Sequence, residues 1–171
     1  MSTITPAPAA TGAAEPTAQV FKYVRPDMPE GPLVGKFVVR LARTDRVLAN
    51  LQVLKNGGET NLHTHHHLDG FWMVLKGQAR FYGEGDEVVA ELKAMEGVLI
   101  PRHFKYWFES VGDEVLEILQ IEASDIPLPT GQPLERQDFA PRTNATRNIT
   151  VIEGRVSAAD YGQRHKLDMS A

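Results

Sequence analysis

The amino-acid sequence predicts an all-β fold, a jelly-roll β-barrel with extended N- and C-terminal arms. Three observations predict it. From about Val20 to Ala123 apolar residues recur at every second position in short runs, as they do in strands with one buried face. Those runs are punctuated at Lys55-Asn56-Gly57-Gly58, Lys76-Gly77, Gly83-Glu84-Gly85-Asp86 and Val111-Gly112-Asp113, by the residue types that turns require. A helical period is nearly absent.

Strands are expected at 36–43, 47–54, 60–66, 70–75, 78–82, 87–92, 98–100, 106–111 and 115–122. Strands so closely spaced suit a sandwich or a jelly-roll barrel. The barrel is expected over residues 20–124, preceded by a disordered tail at 1–19 that is rich in Ala, Thr and Pro. Residues 125–171 read as a Pro-rich linker and a C-terminal arm. Asp125-Ile-Pro-Leu-Pro-Thr-Gly-Gln-Pro133 holds three prolines in nine residues, which the interior of a sheet does not accept. Within the arm, 148–153 carries Ile149, Val151 and Ile152, enough for one more strand added to an edge or to a second subunit.

Composition narrows the function. At 171 residues one domain is expected, long enough to bury a core without staples. The net charge of -4 comes from interspersed acids and bases, so there is no basic stripe to neutralise a phosphate backbone and no nucleic-acid partner is expected. The chain has no cysteine, which excludes disulfides, thiolate ligands and Cys nucleophiles. Neither a secretory signal nor a bilayer-length apolar run is visible. A cytoplasmic location away from membranes is the expectation.

The chemistry concentrates in one place. Five of the six histidines lie between His63 and His103, four of them in His63-Thr64-His65-His66-His67. On a strand His63 and His65 project from the same face and two imidazoles converge, whereas His66 points away. His67 joins them only if the strand runs on that far.

Here the sequence resembles the cupin superfamily, whose first motif runs Gly, five residues, His-x-His, three or four residues, Glu, six residues, Gly. The corresponding stretch is Gly57-Gly58-Glu-Thr-Asn-Leu-His63-Thr-His65-His-His-Leu-Asp69-Gly70-Phe-Trp-Met-Val-Leu-Lys-Gly77. The second cupin motif, Pro-x-Gly-x-x-His-x-x-x-Asn, resembles Pro101-Arg-His103-Phe-Lys-Tyr106-Trp-Phe-Glu-Ser110. The departures are specific. The usual Glu falls on Gly70, beside Asp69, and the usual second-motif His falls on Tyr106.

The resemblance implies two alternative sites. In one, a divalent transition metal (Fe, Mn, Ni or Zn) is held by His63 and His65 with a third ligand from His67, Asp69 or Tyr106. In the other there is no metal, and His63, His65 and Tyr106 act as catalytic acid–base groups, since imidazole titrates near neutrality and a phenol relays a proton or polarises a carbonyl. Trp72, Phe104, Phe108, Gln120 and His103 are the expected substrate-binding residues of an aromatic-lined pocket. The function this implies is a small-molecule enzyme acting on a small polar or sugar-like substrate by metal-assisted chemistry or by isomerisation, epimerisation or elimination. The competing reading is a non-catalytic small-molecule-binding or accessory cupin. A homodimer is implied as well, since cupins resemble one another in pairing barrels through edge strands.

Overall fold

The structure, a computed structural model, describes residues 17–27, 36–55, 60–139 and 149–156. The expectation of a disordered tail at 1–19 therefore lies mostly outside the described residues. In chain order the strands are β1 (Val20–Phe21), β2 (Lys36–Arg43), β3 (Val47–Leu54), β4 (His63–Thr64), β5 (Leu68–Lys76), β6 (Gln78–Tyr82), β7 (Val88–Lys93), β8 (Gly97–Ile100), β9 (Trp107–Ser110), β10 (Leu116–Ser124), β11 (Gln137–Asp138), β12 (Ile149–Glu153) and β13 (Arg155–Val156). Among the described residues none is in an α-helix, as the period-two pattern requires.

Two main sheets face one another. The larger has the order β12-β2-β3-β10-β5-β8, and the smaller has the order β7-β6-β9. Alternation along each strand sends one set of side chains into the space between them. Leu54, Trp72, Val74, Ala79, Phe81, Phe108, Leu116 and Ile118 fill that space and are almost fully buried. Trp72, Phe81 and Phe108 pack as an aromatic block, with ring centroids 5.0 to 5.8 Å apart, the spacing at which offset and edge contacts are favourable. A second apolar cluster, Val39, Leu41, Leu51 and Val53 with Leu119 and Ile152, covers the outer face of β2, β3 and β10. Both faces of the larger sheet are therefore apolar over part of their area.

The turn at Lys76-Gly77 joins the two sheets and depends on its glycine. Gly77 has φ +77°, and a Cβ there would sit 2.8 Å from the Val115 carbonyl oxygen, so any other residue meets left-handed strain and a backbone clash together. The arm does what its Ile and Val residues anticipate. β12 adds to the edge of the larger sheet in the same chain, parallel to β2 with Ile149 opposite Lys36.

The expected strand at 60–66 is shorter than its residues suggest. Only His63 and Thr64 are paired as a strand, with β11, because the chain turns at His66 and His67. Tyr106 lies outside β9, but it and His63 exchange backbone hydrogen bonds of 3.0 and 2.9 Å, so the two motifs meet directly.

Candidate functional site

Each residue of the site is placed by strand pairing. The His63–Tyr106 bridge brings the imidazole and phenol rings to a centroid separation of 4.4 Å. His65 follows two residues later, 5.2 Å from His63 ring to ring at 86°. Both imidazoles are buried, His63 at 3 % exposure and His65 at 9 %. The His63 Nδ1–H donates to the Asn61 carbonyl at 2.7 Å, and the His65 Nδ1–H donates to the Glu135 carbonyl. A carbonyl only accepts, so these bonds fix the tautomers and leave both Nε2 atoms as acceptors. Burial lowers the pKa of both, that of His63 to about 3. At neutral pH the pair is uncharged.

Tyr106 is 3 % exposed, and burial together with the nearby Glu122 pushes its hydroxyl pKa well up. It stays a proton donor throughout the physiological range. The Trp72 indole N–H lies on the Tyr106 side and slightly opposes that rise, but its geometry falls short of a hydrogen bond and the nitrogen is buried without a partner.

The residue that sequence reasoning missed is Glu122. Its signal was present: period two along β10 places 116, 118, 120 and 122 on one face, and Leu116, Ile118, Gln120 and Glu122 are all buried there. Glu122 stands directly across the ladder from Gly70, the position at which the first motif would carry its Glu. A Cβ at Gly70 would lie 3.0 Å from the Trp72 indole nitrogen. The space into which a Gly70 side chain would project is thus occupied by Trp72, and the neighbouring strand supplies the carboxyl. Glu122 is 3 % exposed; its Oε1 accepts from Gln120 at 2.7 Å and lies 4.0 Å from His65 Nε2, while its Oε2 has no partner. Burial drives its pKa up to about 7, with Gln120, Arg136 and Lys36 pulling the other way.

His65, Gly70, Phe104, Tyr106 and Glu122 line a narrow cleft, too tight in this conformation to admit a water molecule. The C-terminal arm walls this region. β11 pairs with β4, the Phe139 N–H donates to the Leu62 carbonyl at 2.9 Å, and Glu135 holds both His65 and, through its carboxylate, His66. Arg136, bonded to Asp138 at 2.9 Å, adds positive potential at Lys36, His63, His65, Tyr106 and Glu122. Nothing in the arm's sequence announces this, because its contacts with the histidine segment span some 70 residues.

Several expected site residues are employed elsewhere. Phe108 is fully buried in the core, and Trp72 is 2 % exposed, so neither offers a ring face to substrate. The pocket is less aromatic than expected, with Phe104 its exposed ring at 39 %. Gln120 is bonded to Gln52 and Glu122 and has both amide groups committed. His103 adopts φ +69° in the turn, where its N–H donates to the His65 carbonyl at 2.7 Å; it holds the His65 backbone and does not face the cleft residues.

The third-ligand candidates also turn away. Nδ1 of His67 bonds Asp125 at 3.0 Å on the surface, and the Asp69 carboxylate is clamped by Arg102, which holds its pKa below the usual range. Among the described residues no group of three or more His, Asp or Glu side chains is arranged to hold a metal ion. Gly70 lacks a carboxylate and Tyr106 is held as a neutral phenol, so the third ligand expected from His67, Asp69 or Tyr106 is not in place, and the carboxyl 4.0 Å from His65 Nε2 is that of Glu122. No helix among the described residues is long and apolar enough to cross a membrane.

A family model for the cupin domain matches residues 50–122. Among solved structures, the chain is similar to an uncharacterized conserved protein with a double-stranded beta-helix domain from Klebsiella pneumoniae, at 19 % identity and a TM-score of 0.51, over 69 % of this chain and 91 % of that one. It is also similar to KdgF from Halomonas sp., at 20 % identity and a TM-score of 0.51, over 63 % of this chain and 94 % of that one. No curated protein matches. Residues 50–122 of this chain thus match the cupin domain, and the fold is that of the double-stranded beta-helix proteins.

Proposed function

We propose that this cupin is an enzyme that moves protons on a small polar or sugar-like molecule without a metal, catalysing isomerisation, epimerisation or elimination. The observation that carries the reading is the Glu122–His65 pair: a buried carboxyl whose Oε2 has no partner and whose Oε1 lies 4.0 Å from an imidazole nitrogen whose tautomer is fixed as an acceptor. A pKa of about 7 populates both forms of Glu122 at neutral pH, the condition under which one group both takes and returns a proton efficiently. In the step proposed, Glu122 Oε2 removes a proton from carbon next to a carbonyl, and the bonding electrons move onto the carbonyl oxygen. Tyr106, protonated throughout, donates a hydrogen bond to that oxygen. In isomerisation Glu122 returns the proton to the neighbouring carbon; in epimerisation the intermediate turns in the site before the proton returns to the other face. In elimination the electrons expel the substituent on the next carbon, which leaves with that proton. Throughout, His65 Nε2 accepts from a substrate hydroxyl beside Glu122.

The test is solvent deuterium incorporation. Protein dialysed against chelator, incubated in D2O with a panel of aldoses, ketoses and hydroxy acids, is expected to wash deuterium into a carbon position of at least one compound, seen by proton NMR. A binder without turnover gives ligand line-broadening but no exchange, and activity that disappears on chelation and returns with Fe, Mn, Ni or Zn sinks the metal-free reading.

We further propose a cytoplasmic homodimer. Phe71 and Leu99, 43 % and 64 % exposed, are cross-strand partners beside the open edge at β8, an apolar pair that a second copy would cover. Sedimentation is expected to give twice the chain mass for the wild type and the single mass for Phe71→Glu; a monomeric wild type refutes it.

A further inference from the structure

The barrel interior holds four polar side chains in a line. Lys36 Nζ on β2 donates to Gln52 Oε1 on β3 at 2.9 Å, Gln52 Nε2 donates to Gln120 Oε1 on β10 at 2.7 Å, and Gln120 Nε2 donates to Glu122 Oε1 at 2.7 Å. All four are buried, at 8, 5, 8 and 3 % exposure. Register makes the line: Gln52 lies opposite both Val38 and Ile118, so Lys36 and Gln120 are its diagonal neighbours on the inner face.

The direction of every bond is determined. An ammonium has donors only, so Gln52 must present its oxygen to Lys36 and its NH2 onward, and the same logic orients Gln120. The chain begins at a cation and ends at a carboxyl, the only arrangement in which no amide is misdirected. Packing alone does not call for it, because apolar residues in place of a buried charged network are commonly neutral or stabilising. Lys36 bears the cost, its pKa lowered to about 8 by burial and by Arg136.

We propose that Lys36, Gln52 and Gln120 are positioning residues that hold Glu122 by Oε1 and so keep Oε2 as its reacting oxygen. This rests on the acid–base reading of Glu122. The other charged or titratable groups facing Glu122 are His65 from the β4–β5 connection, Tyr106 before β9 and Arg136 from the arm, and none of them bonds Oε1 within hydrogen-bonding distance. Lys36 thus acts on the site from two strands away without touching substrate.

The experiment compares wild type, Lys36→Met, Lys36→Arg and Gln52→Met, the last two near in shape and charge or in shape alone. The readouts are the Gln120 side-chain amide signals in 15N–1H NMR and the rate of the exchange reaction. Both Met variants are expected to move the Gln120 amide protons upfield and to lower kcat about 10- to 100-fold with KM little changed, and Lys36→Arg to recover part of both. Gln120 signals that stay in place in both Met variants overturn the proposal. If they move while no variant or wild type shows turnover, the chain stands and the acid–base reading falls. If turnover depends on Glu122 yet is unchanged in both Met variants, the chain falls and the reading stands.

Discussion

Glu122→Gln is expected to abolish turnover while making the folded protein more stable at neutral and alkaline pH. The amide keeps an acceptor oxygen for Gln120 but cannot take a proton, so the rate falls by roughly 10²- to 10⁴-fold, the usual worth of a positioned acid–base group. The stability change follows from linkage. Glu122 has a folded pKa of about 7 against 4.5 for the free side chain, so the folded state binds its proton more tightly than the unfolded state. Its favourable contribution is complete below pH 4.5 and is lost as pH rises through about 7. Above pH 7 the wild type therefore carries a penalty that Gln does not, at most about 3 kcal/mol for a shift of this size. Urea denaturation at pH 4 and pH 8 reads it: the advantage of Glu122→Gln should be absent at the lower pH and present at the higher. An advantage equal at both pH values, or turnover within tenfold of wild type, contradicts the role given to this carboxyl.

His65→Ala is the second large effect. It removes the acceptor 4.0 Å from Glu122 and the donor to the Glu135 carbonyl, so the loss reaches both the chemistry and the arm. Turnover is expected to fall roughly 10²- to 10³-fold. Proteolysis within the segment around Glu135 should quicken, because the arm loses a buried tie. His65 has a lowered pKa, so its contribution to stability is complete above the free imidazole value and declines as pH falls below it; the variant should lose less stability on acidification than the wild type. A binding-only protein responds differently. There His65→Ala weakens ligand affinity, and exchange is absent in both forms.

Particular residues show where reading the sequence succeeded and where it stopped. The strand at 78–82 was legible to the residue, because Ala79 and Phe81 alternate with Gln78 and Arg80 between two turn signals. The convergence of His63 and His65 was legible for the same reason. The strand at 60–66 was overextended: alternation describes which side a residue faces and does not record where pairing partners run out. His67 and Asp69 were credible ligands by spacing, yet Asp125 and Arg102 had already engaged them. Arg102 lies 33 positions from Asp69, and Asp125 58 from His67, distances over which no local pattern carries information.

By itself the sequence determined the all-β architecture and the paired imidazoles, because period-two patterning and turn chemistry are local properties of the chain. Only the tertiary structure decided what those imidazoles face. The register of β10 against β5 sets Glu122 opposite Gly70, the inward turn of Trp72 fills the space that Gly70 leaves, and the pairing of β11 with β4 brings Glu135 and Arg136 to the histidines. Each is a contact between residues remote in sequence, whose free energy is realised only after the strands have paired and the core has closed around them.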